Sequence, residues 1–410
     1  MRCRTSMGLV LAALTAGASL IGLGGTAVAK DSSMAKPRLV TITIPAVHAE
    51  IDPKWLGYPG PPRANVLLPA GYDPHRRYPL IVALHGLNCI YSWWQQWKLT
   101  DPFEKLHAIV VMPEGASGWY TDWWNHGERG GPEWETYELD DVIPTILKRY
   151  PILPQRRWHA LVGISMGGLG AAYLGGRLPG FFGTVAPLSG FVDPQLAGVV
   201  ADPAMTALSF APLNGNYNLF AVDGQPSGYY MTGHNPTRLA VNMRQTRVFV
   251  SSGDGRPSAH AGLNHPGSEE EGAVIYPMNQ QYVPALVAAG VDVAYQPHTG
   301  GHDIPDFMAE VKAFVKWGVF KPVVTHPRSW INRTVATHGQ LWDVGYRFSK
   351  PPTEVVQFKR AGSRLSISTA GSAVTITTAS GCVVHSRTPA TVKVPSHSCP
   401  DRDRAAGQPR

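Results

Sequence analysis

The stretch Trp158-His-Ala-Leu-Val-Gly-Ile-Ser-Met-Gly167 joins an apolar run to a glycine-flanked serine, and helical spacing of apolar residues follows as far as Leu178. It contains the only Gly-x-Ser-x-Gly pattern of the chain, centred on Ser165. A serine between a buried strand and a helix is typical of a sharp bend that lifts its hydroxyl clear of the backbone. The start of the helix favours negative charge that develops beside that hydroxyl. The pattern therefore predicts a nucleophilic Ser165.

Further apolar runs lie on both sides of this stretch, with helical patterns between them. Strands that are apolar on both faces and separated by helices indicate a parallel sheet covered on both sides. We therefore predict an α/β fold with a mostly parallel sheet over residues 30–320, closed by a helix at 305–317. The predicted strands are residues 78–84, 108–112, 158–163, 182–188, 247–251 and 291–295.

The character of the sequence changes after residue 320. Pro322 and Pro327 mark residues 321–329 as a linker. Short alternating runs rich in Thr, Val and Ile follow, and they predict a small C-terminal all-β module over residues 330–400. Its strands are expected at 354–360, 364–368, 373–378, 383–386 and 390–394, ahead of a disordered tail at 401–410.

Residues 1–29 have the pattern of a secretory signal peptide, with a basic start, an apolar stretch and the cleavage triplet Ala27-Val-Ala29. We therefore expect a secreted protein, extracellular or associated with the cell wall. Export would allow Cys382 and Cys399 to form a disulfide bond, which would leave Cys89 as a buried, unpaired thiol.

Composition excludes two classes of protein. Of the 410 residues, 44% are hydrophobic and only 16% are charged, which is too apolar for a disordered chain. The net charge of +7 becomes +5 when Arg2 and Arg4 leave with the leader, and no basic run is suited to tracking phosphates. We therefore expect no nucleic-acid partner.

A nucleophilic serine needs a base, and His302 follows the last predicted strand in Thr299-Gly-Gly-His-Asp303. His298 is the rival, but it lies closer to the strand and lacks flanking glycines. The two glycines between these histidines disfavour a helical metal-binding pair, so no metal is expected. A serine followed by an acid and then a histidine is the chain order of α/β hydrolases.

The acid should lie between the strand ending at Ser251 and His302. Asp254 follows that strand directly, at the carboxyl end where catalytic groups gather in such sheets. The run Glu269–Glu271 precedes a helical pattern and would also fit an acidic first turn. The residues alone leave Asp254 and the glutamates open.

The oxyanion hole should combine the N–H of Met166, next to the nucleophile, with one from the loop after the first core strand. The loop His85-Gly-Leu-Asn88 has that position, so Leu87 is the predicted second donor.

Seven of the twelve tryptophans fall between Trp93 and Trp134. Packing is the commoner fate of tryptophan, but this cluster suggests an aromatic-lined cleft for an acyl chain or a sugar. Trp93, Trp123 and Trp124 are its candidate substrate-binding residues.

From about residue 39 to residue 318 the chain resembles the putative-esterase family of α/β hydrolases, which includes esterase D/S-formylglutathione hydrolase and the mycolyltransferases. That resemblance implies a Ser165 nucleophile, a His302 base, an ester substrate and no cofactor. The matching segments are Leu68-Pro-Ala-Gly-Tyr72, His85-Gly-Leu87, Tyr120-Thr-Asp-Trp123, Trp134-Glu-Thr-Tyr137, Gly163-Ile-Ser-Met-Gly167 and Leu188-Ser-Gly190.

The mycolyltransferase branch places the acid on a glutamate that opens the helix before the last strand. Glu271, 31 positions before His302, matches that spacing, with Asp254 in reserve and Glu270 one register away. Two departures favour a secreted ester hydrolase over sugar mycolylation. Where mycolyltransferases have Asp-Gly-Leu-Arg this chain has His85-Gly-Leu-Asn88, and Asp303 stands where they have tryptophan.

Two alternatives remain open. One is acyl transfer to a sugar or lipid hydroxyl, which differs from hydrolysis only in the acceptor. The other is a non-catalytic secreted binding protein, in which the C-terminal β module contacts the cell wall or a polysaccharide.

Overall fold

The computed structural model describes residues 36–51, 56–124, 132–196, 228–260 and 268–394. Eight strands of the described residues form the central sheet: β1 (Arg38–Thr43), β2 (Arg63–Leu68), β3 (Leu80–Leu84), β4 (Ile109–Pro113), β5 (His159–Ile164), β6 (Thr184–Leu188), β7 (Arg247–Gly253) and β8 (Asp292–His298). Their order is β1-β2-β4-β3-β5-β6-β7-β8. Strand β2 pairs antiparallel with β1 and β4, and every pairing from β4 across to β8 is parallel.

Helices cover the sheet on both sides. Along β3, Leu80, Val82 and Leu84 belong to one hydrophobic cluster, whereas Ile81 and Ala83 belong to a second cluster on the opposite face. This alternation explains why the strand is apolar at every position. The described helices are α1 (Trp93–Gln96), α2 (Trp134–Thr136), α3 (Ile143–Arg149), α4 (Met166–Arg177), α5 (Tyr229–Thr232), α6 (Ser268–Glu270), α7 (Tyr276–Ala288) and α8 (Ile304–Trp317).

Shorter helical turns complete the α/β region. A π-helical turn at Tyr137–Val142 joins α2 to α3, and another at Glu271–Ile275 joins α6 to α7. Turns of 3₁₀ helix occur at Asp101–Leu106, Arg156–Trp158 and Ala240–Met243. The second π turn begins at Glu271, a residue of the candidate site.

The prediction of a mainly parallel α/β sheet is confirmed, and all six predicted core strands are present. The sequence reading missed β1 and β2. These strands pair antiparallel, and β1 exposes most of its residues, so the continuous apolar run that marks the inner strands is absent from it.

Residues 329–393 form two antiparallel sheets that share a hydrophobic cluster of their own. The strands are β9 (Ser329–Thr334), β10 (His338–Leu341), β11 (Val344–Phe348), β12 (Val356–Ala361), β13 (Arg364–Ile367), β14 (Ala373–Thr378), β15 (Val383–Arg387) and β16 (Ala390–Lys393). One sheet has the order β10-β11-β14-β15 and the other β16-β13-β12-β9. The five predicted strands are present, whereas β9 to β11 were not foreseen.

The C-terminal sheets are held against the last turn of α4. Arg177 forms a buried ion pair with Glu135, and it donates to the Tyr346 hydroxyl and the His338 carbonyl at 3.1 Å each. Asn332 donates to the carbonyl of Gly176 at 2.8 Å. These buried polar contacts anchor the sheets to the helix that begins beside Ser165.

The predicted signal peptide at residues 1–29, the tail at 401–410 and Cys399 lie outside the described residues, so a Cys382–Cys399 bond stays a prediction. Neither Cys89 nor Cys382 is a free cysteine. The prediction of an unpaired Cys89 thiol was therefore wrong, because it assumed that the 382–399 pair left Cys89 alone. Within the described ranges, every helix is too short or too polar to cross a bilayer.

Candidate active site

Ser165 lies at the bend between β5 and α4 in a strained backbone conformation, with φ 60° and ψ −120°. The bend is so tight that a Cβ at position 163 would lie 1.9 Å from the Gly167 carbonyl oxygen. A Cβ at position 167 would lie 2.2 Å from the carbonyl oxygen of Leu84. Both flanking positions therefore require glycine, as the Gly-x-Ser-x-Gly pattern predicted.

His302 and Glu271 are joined by a short buried hydrogen bond. The Nδ1 atom of His302 lies 2.6 Å from Glu271 Oε2, and the carboxylate is completely buried. A carboxylate accepts hydrogen bonds, so Nδ1 carries the hydrogen and donates it to Glu271. Nε2 of the neutral ring therefore keeps its lone pair. The geometry thus leaves Nε2 free to act as a base.

Burial alone would lower the pKa of the His302 imidazole. The hydrogen bond to Glu271 and the negative charges of Glu270 and Glu271 outweigh that effect, so the pKa of His302 is raised above its usual value. A base with a raised pKa becomes protonated at a higher pH. Any reaction that needs neutral His302 should therefore slow as the pH falls through that pKa.

The second oxygen of Glu271 is fixed by the ends of two neighbouring strands. Oε1 accepts from the Gly253 N–H at the end of β7 and from the Ser189 hydroxyl just beyond β6, both at 2.9 Å. In the described part of the chain Ser189, Gly253 and His302 all donate hydrogen bonds to this carboxylate. Such a carboxylate can stabilise positive charge on His302.

Ser165 and His302 approach the site from different strands, β5 and β8. The N–H of Ser165 donates to the carbonyl of Leu188, the residue before Ser189. Within the described part of the chain the Ser165 hydroxyl makes no hydrogen bond to His302, whose Nε2 lies 3.6 Å from Glu270 Oε1. Catalytic hydrogen bonds often form only once substrate is bound, so a Ser165–His302 pair is compatible with this arrangement.

The other candidates for acid and base have different partners. Asp254 accepts from the N–H of Arg256 at 3.0 Å and of Gly300 at 3.4 Å, as a turn aspartate would. His298 lies 3.0 Å from Glu310 and does not contact Glu271. Within the described ranges, no group of three or more His, Cys, Asp or Glu side chains is arranged to hold a metal ion.

The predicted oxyanion loop lies beside Ser165, since a Cβ at Gly86 would be 3.6 Å from that of Ser165. Met166 is the first residue of α4, so its N–H has no acceptor within the helix. The loop is held by His85, which accepts from the Gly115 N–H at Nε2, 3.0 Å away. Its Nδ1 therefore carries the hydrogen and donates to the Gly86 carbonyl at 2.9 Å.

His85 is a residue that the sequence reading did not assign. The Gly86 carbonyl and the Leu87 N–H belong to one peptide unit, and this unit is planar. A hydrogen bond that fixes the carbonyl therefore also fixes the direction of the predicted oxyanion donor. The His-Gly dipeptide directly after β3 was the available signal.

The tryptophans differ in their exposure. Trp93 is 3% exposed and Trp123 is 2% exposed, and each packs into a hydrophobic cluster. Their burial argues against direct substrate contact. Trp124 is half-buried, with its ring centroid 5.9 Å from that of Tyr230, and it remains a candidate. The ring of Trp93 makes an edge-to-face contact with Phe307, and Phe307 makes the same kind of contact with the His302 ring.

Comparison with known proteins gives relatives over the same region. The mycobacterial protein named diacylglycerol acyltransferase/mycolyltransferase Ag85C, from Mycobacterium avium, is 27% identical over 315 residues, which is 74% of this chain and 84% of that protein. The solved structure of MPT51 from Mycobacterium tuberculosis covers 69% of this chain and 99% of its own, with a TM-score of 0.53 and 18% identity.

A second solved structure, the Staphylococcus aureus fluorophosphonate-binding serine hydrolase FphF, covers 70% of this chain and 100% of its own, with a TM-score of 0.51 and 16% identity. These likenesses show the fold. The family model described as Putative esterase matches residues 58–317, a range that holds Ser165, Glu271 and His302. The chain therefore belongs to the Putative esterase family.

Proposed function

We propose that the protein is a serine esterase that hydrolyses carboxylic esters. The observation that carries the proposal is the buried 2.6 Å hydrogen bond between Glu271 and His302, at the same sheet edge as the strained Ser165 bend. Membership of the esterase family supports the same reaction class. Secretion is part of the proposal, and it rests on the signal pattern of residues 1–29.

The proposed reaction has two steps. Ser165 Oγ attacks the ester carbonyl while His302 Nε2 takes the hydroxyl proton, and the C–O bond to the alcohol breaks as His302 returns that proton to the leaving oxygen. A water molecule then attacks the acyl-enzyme and gives its proton to His302. The acid leaves as the proton returns to Ser165, so the enzyme is regenerated without a cofactor.

Charge is stabilised at two places in this scheme. Glu271 faces the imidazolium that forms on His302, and the N–H groups of Leu87 and Met166 face the oxyanion. One oxyanion donor contributes roughly 3 kcal/mol to transition-state stabilisation in comparable enzymes. Both donors lie on backbone that is held in place, Leu87 by His85 and Met166 by the start of α4.

The direct test is the Ser165→Ala substitution. We expect the wild-type protein to react with a fluorophosphonate probe and to hydrolyse p-nitrophenyl esters. The variant should lose labelling, and its turnover should fall at least about 10³-fold, because no other group replaces the nucleophile. An unlabelled wild type, or a variant that labels and turns over normally, would refute the proposal. Retained ligand binding without any turnover in the wild type would favour a binding protein instead.

The acid is tested with matched glutamates on one turn. Glu271→Gln should lower kcat by about 10³–10⁴-fold with little change in KM, because the buried carboxylate orients His302 and balances its charge. Glu269→Gln alters an exposed carboxylate of the same run and should leave kcat unchanged. Equal activity of the two variants, with the loss found in Asp254→Asn, would transfer the role to Asp254.

The oxyanion loop is tested at His85. His85→Phe removes the bond to the Gly86 carbonyl, so kcat should fall by about 10–100-fold while KM changes little, since the donor acts mainly in the transition state. His159 is a matched control because it is buried and its ring contacts two carbonyls, of Phe181 and Leu153, at 3.1 and 2.6 Å. If His159→Phe lowers kcat as much, the effect of His85 is general destabilisation.

Transfer of the acyl group to a sugar or lipid hydroxyl is the second candidate, favoured by the mycolyltransferase relative that aligns with 74% of the chain. We expect water to remain the acceptor, because the oxyanion loop His85-Gly-Leu-Asn88 differs from the mycolyltransferase Asp-Gly-Leu-Arg pattern. Product analysis of one acyl donor, with and without trehalose or diacylglycerol, decides between them. A new sugar or glycerol ester formed in place of free acid would establish transfer.

A further inference from the structure

A chain of buried polar groups continues behind Glu271, away from His302. The Ser189 hydroxyl lies 2.9 Å from Glu271 Oε1 and 3.1 Å from Oε1 of a second carboxylate, Glu310. Glu310 Oε1 in turn lies 3.0 Å from Nε2 of His298. Ser189 and Glu310 are each only 1% exposed. The candidate acid is therefore connected to a second acid–histidine pair on β8 and α8.

The single hydrogen of Ser189 makes this arrangement sensitive to charge. A hydroxyl donates one hydrogen bond, so Ser189 can donate to Glu271 or to an ionised Glu310, but not to both at once. The backbone of Ser189 is constrained as well, because it has a positive φ of 39° and its N–H donates to the Ser251 carbonyl at 2.8 Å. The charge of Glu310 therefore decides how fully Glu271 is hydrogen-bonded.

Both groups of the second pair have raised pKa values. Burial raises the pKa of the Glu310 carboxyl to about 7. Burial opposes protonation of His298, but the hydrogen bond and charge of Glu310 raise the pKa of that ring to about 9. The titratable groups that face His302 or this pair are Glu270, Glu271, His298, Tyr295, Asp306 and Glu310.

We propose that Ser189, Glu310 and His298 are positioning residues, which set the hydrogen bonding of Glu271 and thereby the basicity of His302. This inference rests on the proposed esterase function. An ionised Glu310 stabilises protonated His302 through space and competes with Glu271 for the Ser189 hydrogen. Both effects raise the pKa of His302, so the imidazole becomes protonated and stops acting as a base at a higher pH. None of the three residues touches the substrate in this scheme.

The test is the pH profile of kcat/KM for a p-nitrophenyl ester, with two substitutions of opposite expected effect. Glu310→Gln keeps an oxygen that can accept from Ser189 and His298 at the position of Oε1, but it removes the charge. Its acidic limb should move to lower pH by about half a unit, with the plateau rate within a few-fold of wild type. Ser189→Ala removes a hydrogen-bond donor from Glu271, so the charge of Glu271 acts more strongly on His302 and the acidic limb should move to higher pH.

Glu138→Gln is the matched control, because Glu138 is also a buried glutamate whose pKa burial raises, and it lies on the π turn at Tyr137–Val142. It should leave the limb in place. The inference would be overturned if the acidic limb of the pH profile matched that of the wild type in both Glu310→Gln and Ser189→Ala. A shift in the same direction in both variants would also overturn it. Failure of the proposed function itself would appear separately, as a wild-type protein without fluorophosphonate labelling or ester turnover.

Discussion

Four adjacent parallel strands, β5 to β8, end at one edge of the sheet, and the whole candidate site depends on this constraint. Ser165 follows β5, Ser189 follows β6, Gly253 ends β7, and His302 follows β8. Glu271 reaches this edge from the turn between α6 and α7. Its carboxylate hydrogen-bonds to groups from the last three of these strands. One buried side chain thus fixes the relative positions of segments that are far apart in sequence.

Burial is the reason why the charge of the Glu271 carboxylate acts strongly on His302. A charge removed from water is costly unless donors surround it, and Glu271 has Ser189, Gly253 and His302 as partners. Because the buried surroundings screen charges only weakly, a change in a neighbouring charge shifts the pKa of the His302 imidazole more than it would at the surface. The charge of Glu310 raises the pKa of His302 in this way, and Glu270 does so from the solvent side.

The C-terminal sheets are joined to the helix that begins beside Ser165. They contact the end of α4 through Arg177 and Asn332, at the opposite end of the helix from Ser165. Burial of Glu135 would by itself raise the pKa of its carboxyl, but the charge of Arg177 and the contact with His234 lower that pKa to about 2. The ion pair is therefore fully charged at neutral pH, and it links the two regions.

Local sequence was sufficient for the inner strands of the sheet and for the bend that carries Ser165. Strands buried on both faces are apolar at every position, and the bend at Ser165 requires glycine at 163 and 167, so both features can be read from the chain itself. Strands β1 and β9 to β11 were missed because half-exposed antiparallel strands leave a weaker pattern. Strand β2 is buried, but the polar Asn65 interrupts its apolar run.

The residues alone left the acid open, and the choice of Glu271 rested on a family resemblance until the tertiary structure gave the contacts. Asp254 and the glutamates all lie in plausible sequence positions, but Glu271 alone of these carboxylates is brought within 2.6 Å of His302 Nδ1. The role of His85 and the chain through Ser189 to Glu310 also depend on contacts between residues 30 to 121 positions apart. Local spacing determines the shape of one turn, whereas the hydrogen-bond partner of a buried carboxylate depends on how the strands pack together.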